Sequence, residues 1–362
     1  MYKSPSHEEE VEVPKENDVW LNAEGFYTSQ HVTKMSVMNT SCDDCWIQGT
    51  NYSYRLTKQT SAMEMYLLVT VLSFTIVTDI IGNGLVIFSV LRSKKLRNPG
   101  NVFVISLSVA DLLAALYPYP AFLTAIVSDA WILGDMHCKL SGIVLSMGVI
   151  GSVYSITAIA VNRYCCICHS SRYDKLYSMK KTYCYFGILW LVTIIVLLPI
   201  IFVDALQYDP LIYSCTFIQS VNASCAMSVA FIHFIIPVSL VIFCYSSIWI
   251  LLIQVKYRVR QESKQKLKPS EIRSFLTMFA VFVIFLICWG PFSVNSLILG
   301  FSPPGKAPEI PNSLYVLSYF IAYFNSCLSG IIYGIMNKNF RQEYKKIFTL
   351  LCVPVLKCKK TS

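Results

Sequence analysis

The chain has 362 residues, of which 55% are hydrophobic and 14% charged, with a mean hydropathy of +0.53. A soluble globule carries about 25% charged residues, so this composition excludes an ordinary soluble domain and fits a chain with lipid-facing surface. The net charge of +9 is concentrated in loops between apolar stretches, which points to membrane lipids and protein partners rather than nucleic acid.

Residues 1–62 are acid-rich (Glu8, Glu9, Glu10, Glu12, Glu16, Asp18, Glu24, Asp43, Asp44) and show little apolar periodicity. A flexible extension is expected there, without a cleavable signal peptide, because the first residues are polar and acidic. Asn39 and Asn51 open glycosylation sequons, as does Asn222 further on. Cys42 and Cys45 have the spacing of a small disulfide loop. A metal site is the other reading of that pair, but no further ligands accompany it.

Apolar stretches follow near 64–92, 101–127, 138–166, 182–203, 227–254, 273–299 and 313–335. Each is long enough to cross a bilayer as a helix, which takes about 20 apolar residues. The first loop carries Arg92, Lys94, Lys95 and Arg97. The third inner loop carries Lys256, Arg258, Arg260, Lys264, Lys266 and Lys268 against Glu262, and the tail is also basic. The positive-inside rule then places the N-terminus outside and the C-terminus in the cytoplasm, as expected of a multi-pass plasma-membrane protein. The expected division is an extracellular glycosylated extension over 1–62, a membrane bundle over 63–336, and an amphipathic helix with cytoplasmic tail over 337–362. In that last segment Phe340, Tyr344, Ile347 and Phe348 recur at helical spacing among basic residues, the pattern of a helix lying on the inner leaflet. Cys352 and Cys358 are palmitoylation candidates or unmodified thiols.

Each apolar stretch holds an unusual residue: Asn83, Asp111, Arg163, Trp190, Pro237, Trp289-Gly290-Pro291 and Tyr333, in chain order. Polar groups in a membrane helix are costly and mark function. This punctuation resembles the rhodopsin-like class of G-protein-coupled receptors, and the fold it implies is an all-α, seven-transmembrane helix bundle. The resemblance further implies a disulfide between Cys138 and Cys215. It implies an allosteric sodium site at Asp111, Ser152, Asn325, Ser326 and Ser329, although Asp111 as a merely hydrogen-bonded acid is the plainer reading. Ser329-Gly330 stands where the class usually has Asn-Pro. At the inner face, Asn162-Arg163-Tyr164 replaces the usual Asp-Arg-Tyr. Asn162 cannot hold Arg163 by charge, so Glu271 is expected to pair with it. Otherwise Arg163 simply snorkels to the interface. Tyr245 and Tyr333 match tyrosines that stabilise an open state. Trp289 above the Pro291 kink couples ligand contact to helix movement, or only packs.

A narrower resemblance rests on Asn162-Arg163-Tyr164-Cys165-Cys166-Ile167-Cys168-His169-Ser170, Tyr117-Pro118-Tyr119-Pro120, Gln207-Tyr208-Asp209-Pro210 and Ala322-Tyr323-Phe324-Asn325-Ser326-Cys327-Leu328. These stretches are similar to the melatonin receptors. Leu145 stands where amine receptors place an Asp, so a cationic ligand finds no counter-charge there. A neutral, flat, melatonin-like ligand suits the site. The resemblance places Phe217 on the indole ring, Gln219 on the alkylamide, and His233 and Tyr319 in the wall. His233 as a satisfied core histidine is the plainer reading. Ile200 and Ser293 replace two asparagines of that family, and Ser146 replaces a glycine. A melatonin-related orphan receptor that does not bind melatonin therefore remains the alternative. The implied partners are a heterotrimeric G protein, of the inhibitory class that lowers cyclic AMP, and a second receptor in a dimer. No enzyme motif occurs, no cofactor beyond sodium is expected, and a transporter or channel is the remote alternative, without detectable inverted repeats.

Overall fold

The computed structural model describes residues 46–49, 52–55, 62–218, 223–258, 269–301 and 310–358. Asn39, Cys42, Cys45, Asn51, Gln219 and Asn222 lie outside the described residues, as do the side chains of Cys352 and Cys358. A short antiparallel hairpin, β1 (Trp46–Gly49) and β2 (Tyr52–Arg55), precedes the helices.

Among the described residues, seven helical spans are long and apolar enough to cross a membrane. They are α1 (Ala62–Arg92); α2 (Pro99–Leu116) with α3 (Pro118–Ser128); α4 (Asp135–Cys168); α6 (Met179–Phe202); α7 (Ala223–Ala230) with α8 (Ile236–Arg258); α9 (Pro269–Phe301); and α10 (Asn312–Met336). The short helix α5 (Ser170–Leu176) follows α4, and α11 (Lys338–Cys358) follows α10. All seven expected spans are present, with ends that differ by a few residues. In lipid, helices satisfy every backbone group internally, which is why apolar runs of this length fold this way.

The departures from regular helix sit at proline. The second span breaks at Tyr117, φ −132° and ψ −64°, because Pro118 disfavours α geometry in the residue before it. In the fifth span Pro237 cannot donate to the His233 carbonyl. The preceding turn, Phe231–Ile235, is wound as a π-helix in which the Ile236 N–H reaches the Phe231 carbonyl.

Lipid gives little hydrophobic drive between helices, so close approach and interhelical hydrogen bonds hold the bundle. Helix α1 packs on α2 and α10, while α4 packs on α2, α6 and α8. Helices α1 and α10 approach tightly at Gly82 and Gly330, where a Cβ on Gly330 would fall 2.5 Å from the Gly82 backbone. Trp190 of α6 donates to Ser106 Oγ of α2 at 3.2 Å, and Ser155 of α4 donates to the same oxygen at 2.8 Å. Three helices are thus tied at one hydroxyl. Phe340 and Ile347 of α11 are buried, whereas Phe348 is exposed. The amphipathic pattern therefore divides between the bundle and an outward face.

Candidate functional site: a capped cavity, a polar core and a basic cleft

Strands β3 (Leu206–Asp209) and β4 (Ser214–Phe217) form an antiparallel hairpin over one end of the bundle. The Cys138–Cys215 disulfide ties it to α4, with the two Cα atoms 5.3 Å apart. Tyr213 donates to the Asp129 carboxylate at the end of α3. On the α10 side, Tyr315 donates to Asp209 Oδ2 at 2.8 Å, and Ser214 Oγ lies 3.0 Å from the Tyr323 hydroxyl. Lys139 of α4 pairs with Asp204 at 3.0 Å. Burial pushes the Asp209 carboxyl above the usual carboxylate range, and the bonds from Tyr315 and the Leu211 N–H oppose that shift.

Beneath the hairpin is a cavity of about 160 Å³. Leu145, Ser146, Ile200, Phe217, His233, Trp289, Ser293 and Tyr319 all line it, so the structure brings these expected ligand positions together. Among the described residues, no Asp, Glu, Lys or Arg is in its wall. Its polar groups are hydroxyls and the His233 imidazole, and its floor is aromatic. Trp289 stacks on Phe285 with centroids 6.1 Å apart, and Phe292 meets Tyr319 edge-on at 4.8 Å. His233 projects from the π-helical turn and meets Tyr154 edge-on at 6.5 Å. Tyr315 was not singled out from sequence, and Tyr323 appeared there only within a resemblance motif, not as a site residue. Their signal was the spacing Tyr315, Tyr319, Tyr323, which puts three phenols on one helix face.

Below the cavity lies a buried polar core. Ser152 donates to Asp111 Oδ1 at 2.9 Å, and the buried Ser329 side chain lies near the same carboxylate. Asn83 donates to Asp79 Oδ1 at 2.8 Å and to the Ser326 carbonyl at 3.0 Å. Asn325 is buried but makes no side-chain hydrogen bond to this cluster among the described residues. Asp79, fully buried in α1, was overlooked in the sequence. An ionisable residue four positions before Asn83 was the available signal. Asp79 Oδ2, Asp111 Oδ2 and Asn83 Oδ1 bond to no described protein group. Carboxylate and hydroxyl oxygens of this kind fit a hard cation.

At the opposite end, Arg163 does not pair with Glu271. No ion pair joins the two among the described residues, although both line one cleft. Instead Arg163 Nη2 donates to Asn162 Oδ1 at 2.9 Å, and Asn162 Nδ2 donates to Tyr173 of α5 at 3.2 Å. The guanidinium lies against Gly100 of α2, where a Cβ would fall 1.7 Å from Nη2. A neutral neighbour and a glycine notch take the place of the expected charge latch. Tyr245 and Tyr333 are buried nearby, and their hydroxyls bond to no described protein group.

The pattern of the 7 transmembrane receptor (rhodopsin family) matches residues 82–333. Squid rhodopsin superposes with a TM-score of 0.72 at 20% identity, covering 82% of this chain and 89% of that one, a likeness of fold. Melatonin receptor type 1C of Xenopus laevis is 53% identical over 323 residues, 89% of this chain and 77% of the relative. Melatonin receptor type 1A of Ovis aries is 55% identical over 285 residues, 79% of this chain and 78% of the relative. Rhodopsin-family proteins are receptors rather than enzymes, and this chain belongs to that family as a member of its melatonin receptor group.

Proposed function

We propose that the chain is a plasma-membrane receptor, hairpin outside and Arg163 end in the cytoplasm, for a neutral indole-type ligand, melatonin foremost. The observation that carries this reading is the cavity wall: aromatic and hydroxylic, without an acid or base of fixed charge among the described residues. A cationic amine would lie there without a counter-charge, at high desolvation cost. An uncharged, flat molecule loses little on entry and gains stacking on Phe217 and the Trp289–Phe292–Tyr319 cluster.

Ligand binding favours the state in which α9 moves away from α4, by differential affinity for the two states. Trp289, in the cavity wall two residues before Pro291, transmits the contact. Movement of α9 frees Arg163 to engage a heterotrimeric G protein, of the inhibitory class. Asp111, Ser152 and Ser329, with Asp79 and Ser326 alongside, would hold a sodium ion, which would supply positive charge to the buried carboxylates.

A second reading, a melatonin-related receptor that does not bind melatonin, is favoured by one feature. Ile200, 2% exposed, presents an aliphatic wall where the family has a hydrogen-bonding Asn. Losing one such bond costs about 0.5–1.5 kcal/mol, up to roughly tenfold in affinity. Saturation binding of labelled melatonin to membranes bearing this chain, beside an Ile200→Asn version, tests both. Binding by the unmodified chain, strengthened up to about tenfold by Ile200→Asn, is the expected result. Absence of binding from both, with surface expression confirmed, establishes the second reading.

A further inference from the structure

The Arg163 end holds a second cavity, of about 540 Å³, whose charge is one-sided. Among the described residues, Lys95, Arg163, Arg273 and Lys338 line it against a single acid, Glu271. None of the four cations forms an ion pair with a described residue. Arg163 is more than nine-tenths buried and its Nε has no described hydrogen-bond partner.

The backbone adds to this field. Helices α2 and α11 both begin at the cavity wall, and α9 begins two residues before Glu271. Asn98 Oδ1 accepts from the Asn101 N–H, and Asn337 Oδ1 accepts from the Asn339 N–H, each at 3.1 Å. One cap satisfies one of about four free N–H groups at a helix start. The remaining donors and the positive helix ends favour an anion.

We infer that this cleft binds a small, multiply phosphorylated anion, either free in solution or as the headgroup of a lipid. Phosphate chemistry matches a set of separate lysine point charges with an arginine fork. The volume corresponds to roughly 18 waters at ~30 Å³ each, room for a group bearing several phosphates. A helix, about 10–12 Å across with its side chains, enters only after the bundle opens. The anion and an open bundle therefore compete for Arg163, and the anion stabilises the closed state by linkage. The competition with a G protein rests on the receptor reading; the binding itself does not.

The test uses the purified full-length chain and reads its thermal unfolding midpoint, without agonist or G protein. One arm adds inositol hexakisphosphate to protein in detergent. The other compares nanodiscs containing phosphatidylinositol 4,5-bisphosphate with nanodiscs of phosphatidylserine at equal charge. Three proteins are measured: the unmodified chain, Lys95→Gln/Lys338→Gln, and Arg172→Gln/Lys180→Gln. The last pair removes two exposed charges from the same end but outside the cleft. The expected result is a concentration-dependent rise for the unmodified chain and the control. The cleft variant should need at least tenfold more probe, and its midpoint without probe should equal that of the control if it is folded. If Lys95→Gln/Lys338→Gln unfolds, Arg273→Gln replaces it. A response to free hexakisphosphate assigns a soluble anion, and a response only to the phosphoinositide nanodisc assigns a lipid. Equal weakening by the cleft and control variants reduces the effect to diffuse surface charge and overturns the site. So does the absence of any response to either probe. Neither failure touches the receptor reading.

Discussion

At the scale of single residues, the informative position is Asn162. A carboxylate there would hold Arg163 by charge, whereas the amide holds it with one neutral-acceptor hydrogen bond of 2.9 Å. Hydrogen bonds between a charged and a neutral group contribute more than neutral pairs, and ion-paired ones more again. Asn162→Asp is therefore expected to deepen the resting state. With a gain of about 1 kcal/mol after desolvation of the new carboxylate, basal nucleotide exchange on a G protein falls by roughly fivefold. A rise in basal exchange, measured at matched surface expression, would contradict the reading of Asn162 as the resting partner. The sequence showed that Asn162 lacked charge but not where the guanidinium goes instead. The missing information was Gly100, 63 positions away in the chain, whose absent side chain opens the notch. The sequence favoured Glu271 as an acid at the inner start of the sixth span, whereas the geometry is decided by space.

At the scale of elements, the β3–β4 hairpin governs access to the cavity. It is anchored to α4 by a disulfide, to α3 through Tyr213 and to α10 through Asp209 and Ser214. The α10 anchor is the reversible one that also adjoins the ligand wall, since the Tyr315 ring lies tilted against Tyr319 with centroids 5.0 Å apart. Tyr315→Phe keeps the ring and deletes the bond to Asp209, leaving a mostly buried carboxylate with the Leu211 N–H as its remaining described partner. A loss of about 0.5–1.5 kcal/mol makes hairpin opening roughly 2- to 12-fold more frequent. A cysteine placed at Leu297, in the cavity wall, reports this directly. Its modification by a water-soluble thiol reagent is expected to accelerate by that factor in the Tyr315→Phe background. An unchanged rate would mean that the Tyr315–Asp209 bond does not hold the cap, and that the disulfide, Tyr213, the Ser214–Tyr323 contact and the Lys139–Asp204 pair suffice. Sequence made the disulfide cysteines legible through resemblance, but a strand pair of four residues each, set between long apolar helices, has no comparable periodic signal.

At the scale of the whole molecule, the seven spans were legible because a bilayer imposes both length and apolarity on every helix. The fit between helices was not, since it depends on residues far apart in sequence. Ser329-Gly330 shows the difference. Beside the usual Asn-Pro it reads as a weakened ion ligand. In the bundle, Gly330 is where α10 meets α1, against Gly82, and its carbonyl accepts from Tyr344 of α11 at 3.2 Å. A proline at 330 would bring ring carbons into a space where even a Cβ falls 2.5 Å from the Gly82 backbone. Gly330→Pro, which restores half of the family's usual motif, is therefore expected to destabilise this chain. Overpacking of a tight contact costs about 1–3 kcal/mol, and a large domain loses ~2–4 °C of midpoint per kcal/mol. Gly84→Ala is the matched control, because a Cβ there meets nothing within 4 Å. It leaves the midpoint unchanged or raises it slightly through its better helix propensity. If Gly330→Pro melts at the same temperature as the unmodified chain, α1 and α10 can separate without loss. Their glycine contact would then not be what sets the closed bundle.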